Sequence, residues 1–104
     1  MKSEAYQDLL AKSDQHTVLI AFTASWSGAS QMLMHKLTAV AEESDLVIVG
    51  ELDIDQHESL VANLSIQQVP TTFIVRDRVV VDLFTGTVSK NMLLRKLSSA
   101  AEPA

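Results

Sequence analysis

The chain has 104 residues, is 47% hydrophobic and 20% charged, and carries a net charge of −5. That is enough for one buried core and too little for two, so residues 1–104 are expected to form a single domain. The acidic balance excludes the basic face that nucleic acid requires, and the absence of cysteine excludes disulfides, thiolate catalysis, zinc–thiolate sites and iron–sulfur clusters.

No apolar run approaches the length of a membrane span. Lys2 is not followed by the apolar stretch of a signal peptide, so a cytoplasmic protein is expected. From the N-terminus, Ser3 to Lys12 reads as a short helix with Ser3 as its cap. Ala5, Leu9 and Ala11, with Tyr6 and Leu10, are expected to form its apolar side. After the polar link Ser13-Asp14-Gln15-His16, Thr17 to Ala24 is apolar almost throughout, which suits a strand buried on both faces.

Gly28 to Glu43 has Leu33, Leu37, Val40 and Ala41 at helical spacing, with Met34 beside them. Leu46 to Leu52 reads as a second buried strand. A turn at Asp53 to Gln56 precedes a short helix, Glu58 to Leu64, with Leu60, Val61 and Leu64 inward. Ser65 to Val69 is a loop ending at Pro70. Thr71 to Val75 and Val79 to Phe84 are separated only by Arg76-Asp77-Arg78, which implies an antiparallel hairpin. Arg78 is an expensive choice there if the turn needs a positive φ. Gly86 breaks the last strand. Ser89 caps a final helix with Met92, Leu93, Leu94 and Leu97 apolar, and Ser98 to Ala104 is expected to fray. The first two strands, joined by a helix, should be parallel. The whole is an α/β fold in which helices cover both faces of a four-stranded mixed sheet.

The chain is organised around Thr23-Ala24-Ser25-Trp26-Ser27-Gly28-Ala29-Ser30, where the first strand hands over to the long helix. Unpaired N–H groups and the helix dipole converge at such a junction. Ser27 is expected to cap the helix through its hydroxyl oxygen, with Ser30 in the first turn. A serine nucleophile would need a base within hydrogen-bond reach. His35 lies eight residues from Ser27, roughly 12 Å along a helix, and His16 and His57 fall in loops with no matching carboxylate arrangement. The three histidines have no metal-ligand spacing, so neither a metal nor a cofactor is expected. Trp26 reads either as a half-buried aromatic packed over the junction or as a platform for a partner.

These residues resemble the thioredoxin family over nearly the whole chain. Phe22 to Ser30 stands where thioredoxins have a Trp-Cys-Gly-Pro-Cys junction. Leu52-Asp53-Ile54-Asp55-Gln56 follows, then Val69-Pro70-Thr71, like the family's cis-proline loop, then Gly86 before the last helix. The resemblance implies a thioredoxin-like fold with its N-terminal edge strand absent or reduced to Met1-Lys2-Ser3. It also implies a cis Pro70 and a docking surface for a protein or extended peptide at Trp26, Gly28, Ala29, Val69, Pro70, Thr71 and Gly86. Backbone beside Pro70 would pair with the peptide as an added strand.

The departures bear on function. Ser27 and Ser30 replace both redox cysteines, and hydroxyls neither attack a disulfide nor leave as thiolates do. Ala29 replaces the intervening proline, and His35 the proline that kinks the long helix. Ala21 stands where many thioredoxins bury an aspartate, and Glu51 where its lysine partner would be. The expectation is a redox-inactive binding module. The alternative is a laboratory Cys-to-Ser form of a thioredoxin whose parent is a protein-disulfide reductase. The paired serines and the lack of any other cysteine suit that alternative.

Overall fold

The computed structural model describes residues 4–101. Helix α1 (Glu4–Lys12) leads into strand β1 (Thr17–Thr23), helix α2 (Gly28–Glu42) and strand β2 (Val47–Asp53). A single 3-10 turn (Ile54–Gln56) joins β2 to α3 (Glu58–Asn63), followed by β3 (Thr71–Arg76), β4 (Val79–Thr85) and α4 (Lys90–Ala101). The expected cap Ser3, the reduced strand Met1-Lys2-Ser3 and the last three residues of the tail lie outside the described residues. Within them the tail does not fray at Ser98, because α4 runs on to Ala101.

The four strands form one sheet in the order β2-β1-β3-β4. β1 pairs parallel with β2, from Thr17 opposite Val47 to Thr23 opposite Asp53. It pairs antiparallel with β3, from Val18 opposite Val75 to Phe22 opposite Thr71. The sheet is therefore mixed, with helices on both faces. β1 is central and all seven of its residues are buried. β2 is an edge strand, so its residues are mostly half-buried and not enclosed as its apolar run suggests. Composition reports how apolar a strand is, whereas its place in the sheet decides how much of it is covered.

Alternation along the strands sends side chains to two separate cores. On one face Leu19, Ala21, Ile74 and Phe84 meet Leu33, Leu37 and Val40 of α2 and Leu93 and Leu97 of α4. On the other, Val18, Ile20, Phe22, Leu52, Phe73 and Val75 meet Tyr6 and Leu9 of α1, and Phe73 packs edge-on against Phe22 with ring centroids 5.0 Å apart. The helical apolar sides are narrower than expected. In α1 only Tyr6 and Leu9, three apart, are buried, while Ala5 and Ala11 lie on the solvent side. In α4 Leu93 and Leu97, four apart, face the core, which turns Met92 and Leu94 outward. Leu60, Val61 and Leu64 are half-buried, because α3 is short and lies at the margin of its core.

Leu9 of α1 packs over Gly50 of β2, and a Cβ there would collide with the Leu9 side chain. The β3–β4 hairpin turns on Asp77 and Arg78, at φ of 51° and 67°, the positive pair of a type I′ turn. Neither is the usual Gly or Asn. The turn is held from outside by Ser13, whose carbonyl accepts from the Asp77 amide at 2.9 Å and whose hydroxyl accepts from the Arg78 amide at 2.7 Å. Asp14 adds an ion pair to the Arg78 guanidinium at 3.2 Å.

Candidate functional site

Three segments meet at one end of the sheet. β1 ends at Thr23, β3 begins at Thr71 and β4 ends at Thr85; Phe22 is in register with Thr71, and Thr71 with Thr85. The junction between β1 and α2, the Pro70 loop and Gly86 therefore share that end.

The junction is a tight turn held by its two serines. Ser27 has extended backbone (φ −100°, ψ 112°) and is the N-cap of α2. Its Oγ accepts from the Ser30 amide at 3.1 Å, as capping requires. Ser30 is buried, and its Oγ accepts from the Ala24 amide at 3.3 Å. The Ser27 amide donates back to the Ala24 carbonyl at 3.0 Å, and Gln31 Nε2 donates to the Ser25 carbonyl at 3.4 Å. Both hydroxyl oxygens are thus engaged with backbone N–H groups. His35 is exposed on α2, and neither it nor His16 is brought to the serines. Gly28 and Ala29, in the first turn of α2, are exposed.

Trp26 is 69% exposed. The half-buried packing allowed by the sequence is not what forms. With Ser25 and Trp26 in the turn, the side chain leaves the sheet before α2 can cover it.

On the facing loop the Val69–Pro70 peptide is cis. Pro70 and Thr71 are buried and Val69 is half-buried. Thr71 Oγ1 donates to the Gln68 carbonyl at 2.7 Å. The Gly86 amide donates to the Pro70 carbonyl at 2.8 Å, which locks the loop to the end of β4. Gly86 has φ of +71°, a conformation that a side chain makes costly.

Ala21, opposite Thr72 and Glu51 in the sheet, is fully buried. The Thr72 Oγ1 beside it is buried without a hydrogen-bond partner. Glu51 is exposed and accepts from Thr23 Oγ1 at 2.8 Å.

His57 lies in the loop expected for it, between the 3-10 turn and α3, and the fold brings it into a groove of about 310 Å³ with Thr23, Ser30, Glu51, Asp53 and Gln56. Only the pairing register of β1 with β2 brings these together, and no local motif signals it. No group of three His, Asp or Glu among the described residues could hold a metal ion.

Comparison with known proteins agrees with this architecture. The family model described as Thioredoxin matches residues 1–99. A thioredoxin of Chlorobaculum thiosulfatiphilum is 30% identical over 93 residues, covering 88% of this chain and 85% of that protein. The chloroplastic thioredoxin Y2 of Arabidopsis thaliana is 29% identical over 99 residues, and the match spans 94% of this chain but only 59% of that protein. Among solved structures, a point mutant of thioredoxin from Halobacterium salinarum NRC-1 superposes with a TM-score of 0.85 at 27% identity, covering 100% of this chain and 89% of that one. With strand order, junction, proline loop and final glycine all in the places that this family uses, the chain belongs to the thioredoxin family.

Proposed function

We propose that this chain is a redox-silent member of its family that holds an extended segment of a partner protein. The contact surface comprises the exposed Trp26, Gly28 and Ala29 from the junction and the half-buried Val69 and Gly86 from the facing loops; Pro70 and Thr71, expected from the sequence to belong to it, are buried and shape the loop from beneath. The observation that carries the proposal is the state of the two serines. Each sits at a motif position, each hydroxyl oxygen accepts from a backbone amide within the junction, and the chain has no cysteine with which to exchange a disulfide. Both oxygens are thereby held as acceptors within the turn, the role that a cap requires.

What remains is a surface suited to binding. The large exposed indole of Trp26 can bury substantial area on contact. Beside it lie the exposed first turn of α2 and a proline loop tied in place through Gly86. A rigid surface has less ordering to lose on binding.

The test uses a carboxymethylated, permanently unfolded protein as the probe, followed by fluorescence anisotropy. The parent chain is expected to bind it and Trp26→Ala to bind at least tenfold more weakly, with an unchanged denaturation midpoint because Trp26 is exposed. Equal affinity of parent and variant would reject the surface. Reduction of insulin disulfides above the rate of the small dithiol alone would reject the redox-silent assignment.

A further inference from the structure

The chain has no cysteine but four methionines, and one of them lies on the surface proposed above. In α2, Met32 falls four residues after Gly28 and three after Ala29, which sets the three on one stripe of the helix. Ser30, Leu33 and Leu37 face the core, while Gln31, Met34, His35 and Thr38 line the groove toward β2. Met32 is therefore on the other flank of α2, toward the segment that Gly86 begins. One turn further on, Lys36 Nζ donates to the Val88 carbonyl at 3.0 Å, which holds that flank beside the segment.

A packing role would bury the side chain, whereas Met32 is 61% exposed. Where β1 hands over to α2, Trp26 and Met32 are the exposed large apolar residues; Leu46 and Val79 stand at the opposite end of the sheet. The other described methionines are less accessible. Met92 is 45% exposed and Met34 is half-buried against the core. A thioether is flexible and polarisable, so it adapts to varied apolar partners. It is also the group that peroxide converts to a polar sulfoxide.

We infer that Met32 contacts an apolar side chain of the bound segment and that its oxidation releases the segment. This rests on the binding role proposed for the Trp26 surface. The oxidant is hydrogen peroxide. The Met32 sulfur attacks one peroxide oxygen, and an S–O bond forms as the O–O bond breaks. The transferred oxygen gives up its proton to the departing hydroxide, which leaves as water. Sulfur loses two electrons and peroxide gains them. A sulfoxide in the contact would lose its hydration to an apolar neighbour that offers no donor, which opposes binding. Enzymatic reduction of the sulfoxide restores the thioether, so the release is reversible.

The test treats the protein with dilute hydrogen peroxide, removes the peroxide, and then measures binding to carboxymethylated, permanently unfolded protein by anisotropy. Peptide mass mapping locates the sulfoxide. Met32 is expected to oxidise faster than Met92 and Met34. The oxidised parent is expected to bind about fivefold more weakly, to keep its denaturation midpoint, and to regain affinity after treatment with methionine sulfoxide reductases. Met32→Leu is expected to bind as the untreated parent does and to hold that affinity through peroxide treatment, which separates Met32 from the other methionines. Slower oxidation of Met32 than of Met34, unchanged affinity with Met32 fully oxidised, or an equal loss in peroxide-treated Met32→Leu would each overturn the inference. So would a denaturation midpoint that falls on oxidation at Met32. If the untreated parent does not bind, the inference fails together with the surface around Trp26. If Trp26→Ala weakens binding and oxidation at Met32 does not, it fails alone.

Discussion

Ser27 Oγ accepts the amide of Ser30 at 3.1 Å, while Ser30 Oγ reaches back 3.3 Å to the amide of Ala24. The two hydroxyls that stand at motif positions are therefore structural groups, one satisfying an N–H donor that a bare helix start leaves open and the other an N–H of the turn after β1. Removing the first, with Ser27→Ala, is expected to cost on the order of 1 kcal/mol of stability. Urea denaturation measures it. A midpoint equal to that of the parent would show that Ser27 contributes nothing as a cap.

Thr72 presents the opposite case. Its hydroxyl is fully buried between the central strand and β4, opposite Ala21 and Phe84, with no partner for Oγ1. An orphaned buried polar group costs about 1–3 kcal/mol, and an apolar group of the same shape removes that cost. Thr72→Val is expected to raise stability by roughly 1 kcal/mol, seen as a higher urea midpoint with an unchanged slope. A lower midpoint would mean that the hydroxyl makes a compensating bond.

Ala21 lies fully buried in the same core as Leu33, Leu37 and Leu93. A carboxylate there would lose its hydration, so Ala21→Asp is expected to destabilise and its pKa in the folded state to rise. The folded state then prefers the neutral acid. Relative to the parent, the penalty is smallest below the unfolded pKa of about 3.9 and grows as pH rises above it, levelling off past the raised folded value. Denaturation of both proteins at pH 3.5 and pH 7 tests this. A difference between the two proteins that is the same at both pH values would refute it.

Asp82 works with the reverse sign. Lys96 Nζ donates to its carboxylate at 3.1 Å, and that bond is the main cause holding the Asp82 pKa below 3.8, with the Leu83 amide adding to it. The stabilisation is present above the unfolded pKa and is lost as pH falls through the lowered folded value. Lys96→Met is expected to move the Asp82 titration upward, as followed by carboxyl carbon NMR shifts. An unmoved titration would assign the depression to the Leu83 amide instead.

What could be read from the chain follows from how local each feature is. The continuous apolar run of β1 announces a central strand, and Ser27 before Gly28 announces a cap, because the causes lie within a few residues. β2 is nearly as apolar as β1 yet lies at an edge, since strand order depends on partners far along the chain. Arg78 is costly in a left-handed turn, at φ of 67°. What makes it tolerable is Ser13, 65 residues earlier. The groove that gathers Ser30, Glu51 and His57 likewise exists only through the register of β1 with β2. Trp26 could not be placed from its neighbours, because its exposure is decided by where α2 begins.

Restoring the cysteines separates the proposed binding role from the alternative of a Cys-to-Ser thioredoxin. A thiol at position 27 would sit at the cap of a 15-residue helix, where the dipole and free N–H groups favour the thiolate and lower its pKa. Ser27→Cys with Ser30→Cys places two thiols one helical turn apart, so some reaction with small dithiols is expected whatever the history of the chain. The discriminating measurement is turnover with a thioredoxin reductase, which has to reach the thiols at positions 27 and 30 to recycle them. A chain whose surface serves a different partner has no reason to retain complementarity to the reductase. The double variant is therefore expected to reduce insulin with a small dithiol but to turn over poorly when the reductase supplies the electrons. Recycling as efficient as that of a dithiol thioredoxin would instead make the two serines replacements in an otherwise intact reductase partner.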